Sequence, residues 1–265
     1  MSVFKKILAL LLALCMMIGV VPITVLAAET EASETAADSE SFMRIFNLDC
    51  GRIYFSVEQI EDIIDKLAAN NYTHLGLAFG NSGFRFLLDD MSIGDYSSNA
   101  VKTAILNGNT SYAANDGHNN STAANTCLTQ DEMDTIISYA SSKNISIVPV
   151  LNSPGHMNTI VYAMGELGIS GAGYPVSTSY NSESTINIKS DDVKTFVSAL
   201  IQKYVTYFAG KGCTMFNLGA DEFANDPTDD TKLGFTDTIK SAFIAYVNSV
   251  ATMIREAGMQ MPAST

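Results

Sequence analysis

Met215-Phe216-Asn217-Leu218-Gly219-Ala220-Asp221-Glu222-Phe223 is the stretch on which the reading of this chain turns. The short apolar run has the length of a buried strand, and it stops at a Gly-Ala step followed by two adjacent carboxylates. In a parallel α/β protein, ligands bind where the carboxyl ends of the strands open into loops. Two acids at such an end fit bond-breaking chemistry that needs a proton donor and a second negative charge beside it. The same dipeptide also suits the acidic first turn of a following helix, where the helix dipole favours it. Spacing alone leaves both readings open.

Outward from this stretch, strands and helices alternate. Phe42 to Asp49 is a β-rich run. Val57 to Asn70 places apolar residues at Val57, Ile60, Ile63, Ile64 and Leu67, a helical spacing, with Ser56 as N-cap and Gln59 closing a capping box. His74 to Phe79 is a second strand, Gln130 to Lys143 a helix capped by Thr129, and Ile145 to Leu151 a third strand. Asp191 to Phe208, capped by Ser190, is a long helix. Cys213 to Leu218 is the fourth strand, and Phe235 to Ala257 a long helix ended by Gly258. Four such alternations predict an α/β fold of right-handed βαβ units around a parallel sheet. Two polar insertions interrupt them: Ser92 to Asn125, and Ser153 to Lys189 with a helix-like stretch at Asn158 to Leu167. Both follow strands, on the face where an α/β barrel builds its active site.

The chain of 265 residues is long enough for one sizeable core. Residues 1–27 read as a secretory signal: Lys5 and Lys6 start it, Ile7 to Leu26 is apolar, and Val25-Leu26-Ala27 precedes Ala28 as a small-residue cleavage site. An uncleaved membrane anchor is the alternative, since the apolar run could span a bilayer; Pro22 and the small residues after it favour cleavage. Cys15 follows Leu14 rather than a small residue, which argues against a lipoprotein anchor. Residues 28–41 are acidic and lack large apolar side chains, the composition of a disordered linker. The folded part then runs over 42–265, and the expected location is secreted or cell-surface. A formal charge of −13 argues against nucleic acid as a partner, because phosphates demand a basic face. Cys50, Cys127 and Cys213 remain after the signal. An odd number at wide spacing is no disulfide framework, and no CxxC pair exists to hold zinc.

Three further stretches end predicted strands. Asn152-Ser153-Pro154-Gly155-His156 turns sharply and presents His156 near the acid pair, either to hold a carboxylate or substrate by hydrogen bonding, or simply to cap a helix. Asp49-Cys50-Gly51-Arg52 offers the fixed donor fork of Arg52 to sugar-like hydroxyls or a carboxylate; pairing with Asp49 as a brace is the other reading. Asn81-Ser82-Gly83-Phe84-Arg85 could meet a ligand through Asn81, with a solvated turn as the expected alternative. Asp226-Pro227-Thr228-Asp229-Asp230 lacks the ligand spacing, central Gly and closing Glu of a calcium loop, so no metal is expected. His74 reads as structural, and His118 carries no visible partner.

With these residues in place, the chain resembles the glycoside hydrolase family 20 β-N-acetylhexosaminidases. It is most similar to the catalytic modules of surface exo-β-N-acetylglucosaminidases of Gram-positive bacteria. The matching stretches are Asp49 to Phe55, Gly83 to Ile93, Asn152 to Met157 and Phe216 to Asp226, in family order. The resemblance implies a (β/α)8 TIM barrel and hydrolysis of terminal β-linked N-acetylhexosamine from a glycan, with no cofactor. It implies Glu222 as the general acid, later the base that activates water. Asp221 would orient the substrate's own 2-acetamido group, whose carbonyl oxygen attacks the anomeric carbon, so no enzyme nucleophile is needed. The acid role requires Glu222 to hold its proton near neutrality, which the adjacent anionic Asp221 favours. Arg52 matches the arginine that binds sugar hydroxyls, and His156 the histidine near the acid pair. Asn81 falls at a substrate-binding position where many members carry Asp, a departure from the family pattern.

One departure concerns extent. Only about the first four βα units of the eight are present, and the fifth strand should begin at Gln260 to Thr265. In the family, the aromatic wall and the tyrosine at the acetamido oxygen come from later strands, and this chain has no Trp. The expectation is a truncated copy, inactive by itself, whose exposed sheet edges favour self-association. A glycan-binding protein without turnover and a lacto-N-biosidase are the two alternatives.

Overall fold

The computed structural model describes residues 42–116, 126–176, 179–223 and 236–262. The expected signal and linker, His118 and the Asp226-to-Asp230 segment lie outside them. The chain divides into Met1–Met43 and Arg44–Thr265, and the architecture concerns the second unit.

Its sheet is parallel, as the alternation predicts. β1 (Ile45–Asp49) pairs in parallel with β2 (His74–Asn81), placing Asp49 opposite Ala78. The two-residue β3 (Gly83–Phe84) folds back antiparallel on the end of β2, and β4 (Ser146–Leu151) pairs in parallel on its other side. The expected fourth strand, Cys213 to Leu218, is narrower than its apolar run. Only Asn217 bridges β4, at Val150, and Met215 bridges Gln260, both in parallel. Pro149 contributes to this, because it accepts from Asn217 N at 2.9 Å but has no N–H to return. The Met215–Gln260 bridge falls where the fifth strand is expected to begin.

The helices follow their sequence signals. α1 (Val57–Ala69) starts at a complete Ser56–Gln59 capping box and buries Ile60, Ile64 and Leu67. The insertion after β2 holds a 19-residue helix, α2 (Ser98–Asp116), which its Asn- and Ser-rich composition does not predict. Val101, Ile105 and Asn109 line its buried side. Asn109 replaces a β-ladder for the short β3: Oδ1 accepts from Phe84 N at 2.8 Å and Nδ2 donates to Phe84 O at 2.7 Å. α3 (Gln130–Ser142) begins at the capping box of Thr129 and Glu132. The second insertion contains α4 (Asn158–Glu166) and an unpredicted antiparallel hairpin, β5 (Gly173–Pro175) with β6 (Asn181–Ile186). α5 (Asp191–Gly210) and α6 (Asp237–Glu256) are capped by Ser190 and Thr236.

The core under the site is aromatic. Phe79, Phe84, Phe86, Tyr204 and Phe208 meet at centroid distances of 4.9–5.9 Å, locking α5 onto β2 and the segment after it. This packing corrects the expectation of a solvated turn at Asn81 to Arg85. Asn81, Ser82, Gly83, Phe84 and Arg85 are all buried, because the backbone turns inward into β3 instead of out to water. Arg85 donates from Nε to Gly51 O at 3.3 Å and from Nη1 to Thr126 O at 3.2 Å.

Candidate active site

Asp49 ends β1 and organises the first part of the site. Its Oδ1 accepts from the backbone N–H groups of Gly51 and Arg52, each at 3.1 Å, which curls the chain back over the strand end. Its Oδ2 accepts from Arg52 Nη1 at 3.0 Å and from Asn81 Nδ2 at 2.8 Å. Asn81 Oδ1 in turn accepts from Asn152 Nδ2 at 2.9 Å. A hydrogen-bonded relay thus crosses the ends of β4, β2 and β1 and stops at Arg52. Gly51 suits this crossing, since a Cβ there would collide with the backbone of Asn81.

Arg52 Nη2 lies 3.4 Å from His156 Nδ1. A guanidinium only donates, so Nδ1 accepts and the proton of the neutral ring sits on Nε2. That Nε2 faces Glu222 Oε2 at 3.0 Å, with Asp221 Oδ2 at 3.8 Å. The imidazole side chain is 15% exposed, against 59% and 56% for Asp221 and Glu222, so a sunken donor meets Glu222, and both carboxylates face solvent.

The backbone here is strained. Ser82, His156, Ala220 and Glu222 have φ of 61°, 52°, 61° and 53°, left-handed values that L-residues avoid at a cost on the order of 1 kcal/mol each. The two other such non-glycine residues among those described, Asn71 and Asn144, belong to a type that tolerates the region. Packing imposes these angles. Ser82 N donates to His156 O at 2.6 Å. Gly219, at φ 69°, lies so close to Asn152 Oδ1 that a Cβ would overlap it, and a Cβ on Gly155 would sit 2.9 Å from Asp221 O. Phe223 anchors the acid pair from behind, stacked on Phe243 of α6 at 4.9 Å and edge-on to Tyr174 of β5 at 5.7 Å. The His156 loop, whose Ser153–Pro154 bond is cis, is pinned by Ser153 Oγ to Tyr246 OH at 2.5 Å and by Met157 N to Ser184 O at 2.7 Å.

Four of the expected site residues therefore meet: Arg52, His156, Asp221 and Glu222. Asn81 stands one step back, bonded to Asp49 and not to the acids. Arg52 does pair with Asp49, the bracing alternative, while also reaching His156. Asp49 and Asn152 act as members of the relay, a role that sequence reasoning missed; a polar side chain closing each strand is the signal that would have found them. Burial, and secondarily the Asp49 charge, raises the Cys50 thiol well above its ordinary value, so this neighbour stays a protonated thiol. Among the described residues, no group of three His, Cys, Asp or Glu is placed to hold a metal ion. No described helix is long and apolar enough to cross a membrane.

Residues 43–262 match the family model of the glycosyl hydrolase family 20 catalytic domain. Two solved structures of pneumococcal StrH are each 37% identical over 83% of this chain and 52% of theirs. Their TM-scores are 0.73 and 0.74; one concerns N-glycan recognition and hydrolysis, the other the tandem catalytic modules of this exo-β-D-N-acetylglucosaminidase. Streptomyces plicatus N-acetyl-β-hexosaminidase shares the fold at 20% identity and TM-score 0.55, over 82% of this chain and 38% of its own. The chain spans about half the length of the StrH structures it matches. It belongs to glycosyl hydrolase family 20 and carries about the first four βα units of that family's (β/α)8 barrel.

Proposed function

We propose that this chain holds the acid, histidine and arginine groups of an exo-β-N-acetylhexosaminidase, which removes terminal β-linked GlcNAc or GalNAc from glycans. The observation that carries the reading is His156, hydrogen-bonded toward Glu222 on one ring nitrogen and met by Arg52 on the other. The exo-β-D-N-acetylglucosaminidase activity of StrH, 37% identical over the matched residues, supports the substrate class.

In this reading Glu222 gives its proton to the glycosidic oxygen as the bond from that oxygen to C1 breaks. The carbonyl oxygen of the substrate's 2-acetamido group bonds to C1 from the opposite face, and Asp221 offsets the positive charge that spreads onto the acetamide. Glu222, now a carboxylate, takes a proton from water. The water oxygen bonds to C1 as the carbonyl oxygen leaves, and two inversions give net retention. His156 orients Glu222 through Nε2–H. Arg52 directs its remaining donors at sugar hydroxyls, and Asn81 acts through Asp49 to hold Arg52 in place.

The same proposal takes the protein to act outside the cell, with 1–27 as an export signal, 28–41 as a linker and 42–265 as the N-terminal half of the barrel. Among the described residues β1 pairs on one side only, and that edge favours self-association of this chain on its own.

Hydrolysis of an aryl β-GlcNAc by the full-length protein tests the proposal. Glu222→Gln is expected to lower kcat by roughly 10²–10⁴-fold. Absence of turnover by the wild type, or equal turnover by the variant, overturns it. The open exposure of both carboxylates favours one second reading, glycan binding without hydrolysis, which calorimetric GlcNAc binding in a protein without turnover would establish.

A further inference from the structure

The two insertions flank an open-sided cavity of about 370 Å³ that does not include the acid pair. This is within the range of small-molecule sites, roughly 300–1,000 Å³. α2, α4 and the β5–β6 hairpin form its walls, and they are held rigidly. A Cβ on Gly108 of α2 would lie 2.5 Å from the Thr159 carbonyl of α4, and Met157 N and Ile186 N tie the hairpin to the His156 loop. Asn158, two residues beyond His156, lines the cavity, so it adjoins the candidate active site.

Its lining is distinctive in what it leaves unused. The side chains of Ser111, Asn158, Tyr162, Asn181 and Glu183 make no hydrogen bond or ion pair with another described residue. Amide, hydroxyl and carboxylate groups together can both donate to and accept from vicinal hydroxyls. Tyr162 is 41% exposed and has no ring partner among the described residues, which leaves a flat apolar face for the C–H side of a pyranose. Glu183 is the single charge on the described wall, so an anionic ligand such as a phosphate or a sialic acid is disfavoured there.

We infer that this cavity binds a neutral pyranose unit of a glycan, stacked on Tyr162 and hydrogen-bonded by Asn158, Asn181 and Glu183. The inference builds on the glycan-hydrolase reading. The sugar it takes is either a further residue of the chain being trimmed or a second glycan.

The test uses the full-length protein in a Glu222→Gln background, titrated calorimetrically with GlcNAc and with a linear β-linked GlcNAc trisaccharide. Tyr162→Ala is expected to weaken the trisaccharide about three- to tenfold, from the loss of one aromatic contact, and to leave GlcNAc affinity at the acid site unchanged. Tyr162→Phe, which keeps the ring, should restore binding. Where Tyr162→Ala weakens the trisaccharide, one trisaccharide per chain identifies a single glycan spanning both sites, and two identify a separate one. Trisaccharide affinity unchanged in Tyr162→Ala, at an unchanged melting temperature, overturns it. Aryl β-GlcNAc turnover by the protein with Glu222 intact judges the hydrolase reading separately, because that substrate has no second sugar to fill the cavity.

Discussion

At the scale of single residues, Gly219 shows how the acid pair is aimed. It combines a left-handed φ with a position against Asn152 Oδ1 that no Cβ could share. Gly219→Ala is therefore expected to destabilise the protein by at least about 1–2 kcal/mol. It should also lower kcat on the aryl substrate, since the strain resolves by moving Asp221 and Glu222. A denaturation midpoint and kcat both equal to wild type would show that the loop is not held in this way. Sequence made Asp221, Glu222, His156 and Arg52 readable because each closes a strand within a short motif. It could not show that Arg52 reaches His156, residues 104 positions apart, because that contact follows from strand order in the sheet. Nor could it show the burial of Arg85, since nothing local distinguishes an arginine in a turn from one under a loop.

Among the secondary-structure elements, the caps were the most legible features. Ser56, Thr129 and Ser190 each stand where a short polar side chain precedes an apolar helical period, and each accepts the backbone N–H three residues on. α2 escaped because its buried apolar stripe is short, Val101, Ala104 and Ile105, and the next turn is fixed by tertiary contacts of Gly108 and Asn109. One tie between elements carries a pH signature. Asp65 of α1 accepts from Lys143 Nζ at 2.6 Å and from Tyr139 OH of α3 at 2.9 Å, and these bonds hold its carboxyl below the ordinary 3.8. A lowered folded-state value means the tie stabilises above the unfolded pKa and is lost as pH falls through the folded one. Asp65→Asn should melt below wild type at pH 6, and the gap should close toward pH 2. The gap should also narrow in high salt, because the pair is exposed. A gap constant from pH 6 to pH 2 would assign the loss to packing.

For the molecule as a whole, stability rests on the aromatic cluster that joins α5 to the sheet. Tyr204 is fully enclosed there and donates from its hydroxyl to Phe86 O at 2.6 Å. Tyr204→Phe leaves that carbonyl without its donor in a dry core and should cost about 1–3 kcal/mol, measured by urea unfolding at unchanged m-value. A variant as stable as wild type would show that Phe86 O finds another donor. The α/β class was legible because strands covered on both faces read as plain apolar runs. The hairpin was not, since β5 is only three residues long and contains Pro175. The relay has a consequence in the order of synthesis. Asp49, Arg52, Asn81, Asn152 and His156 all leave the ribosome before Asp221 and Glu222. Three adjacent parallel strands can therefore first close the half of the site that holds the Asp49–Arg52 ion pair and the His156 donor. The two carboxylates are then delivered last to a donor already in position, so the strained turn that carries them need not form while the sheet is still assembling.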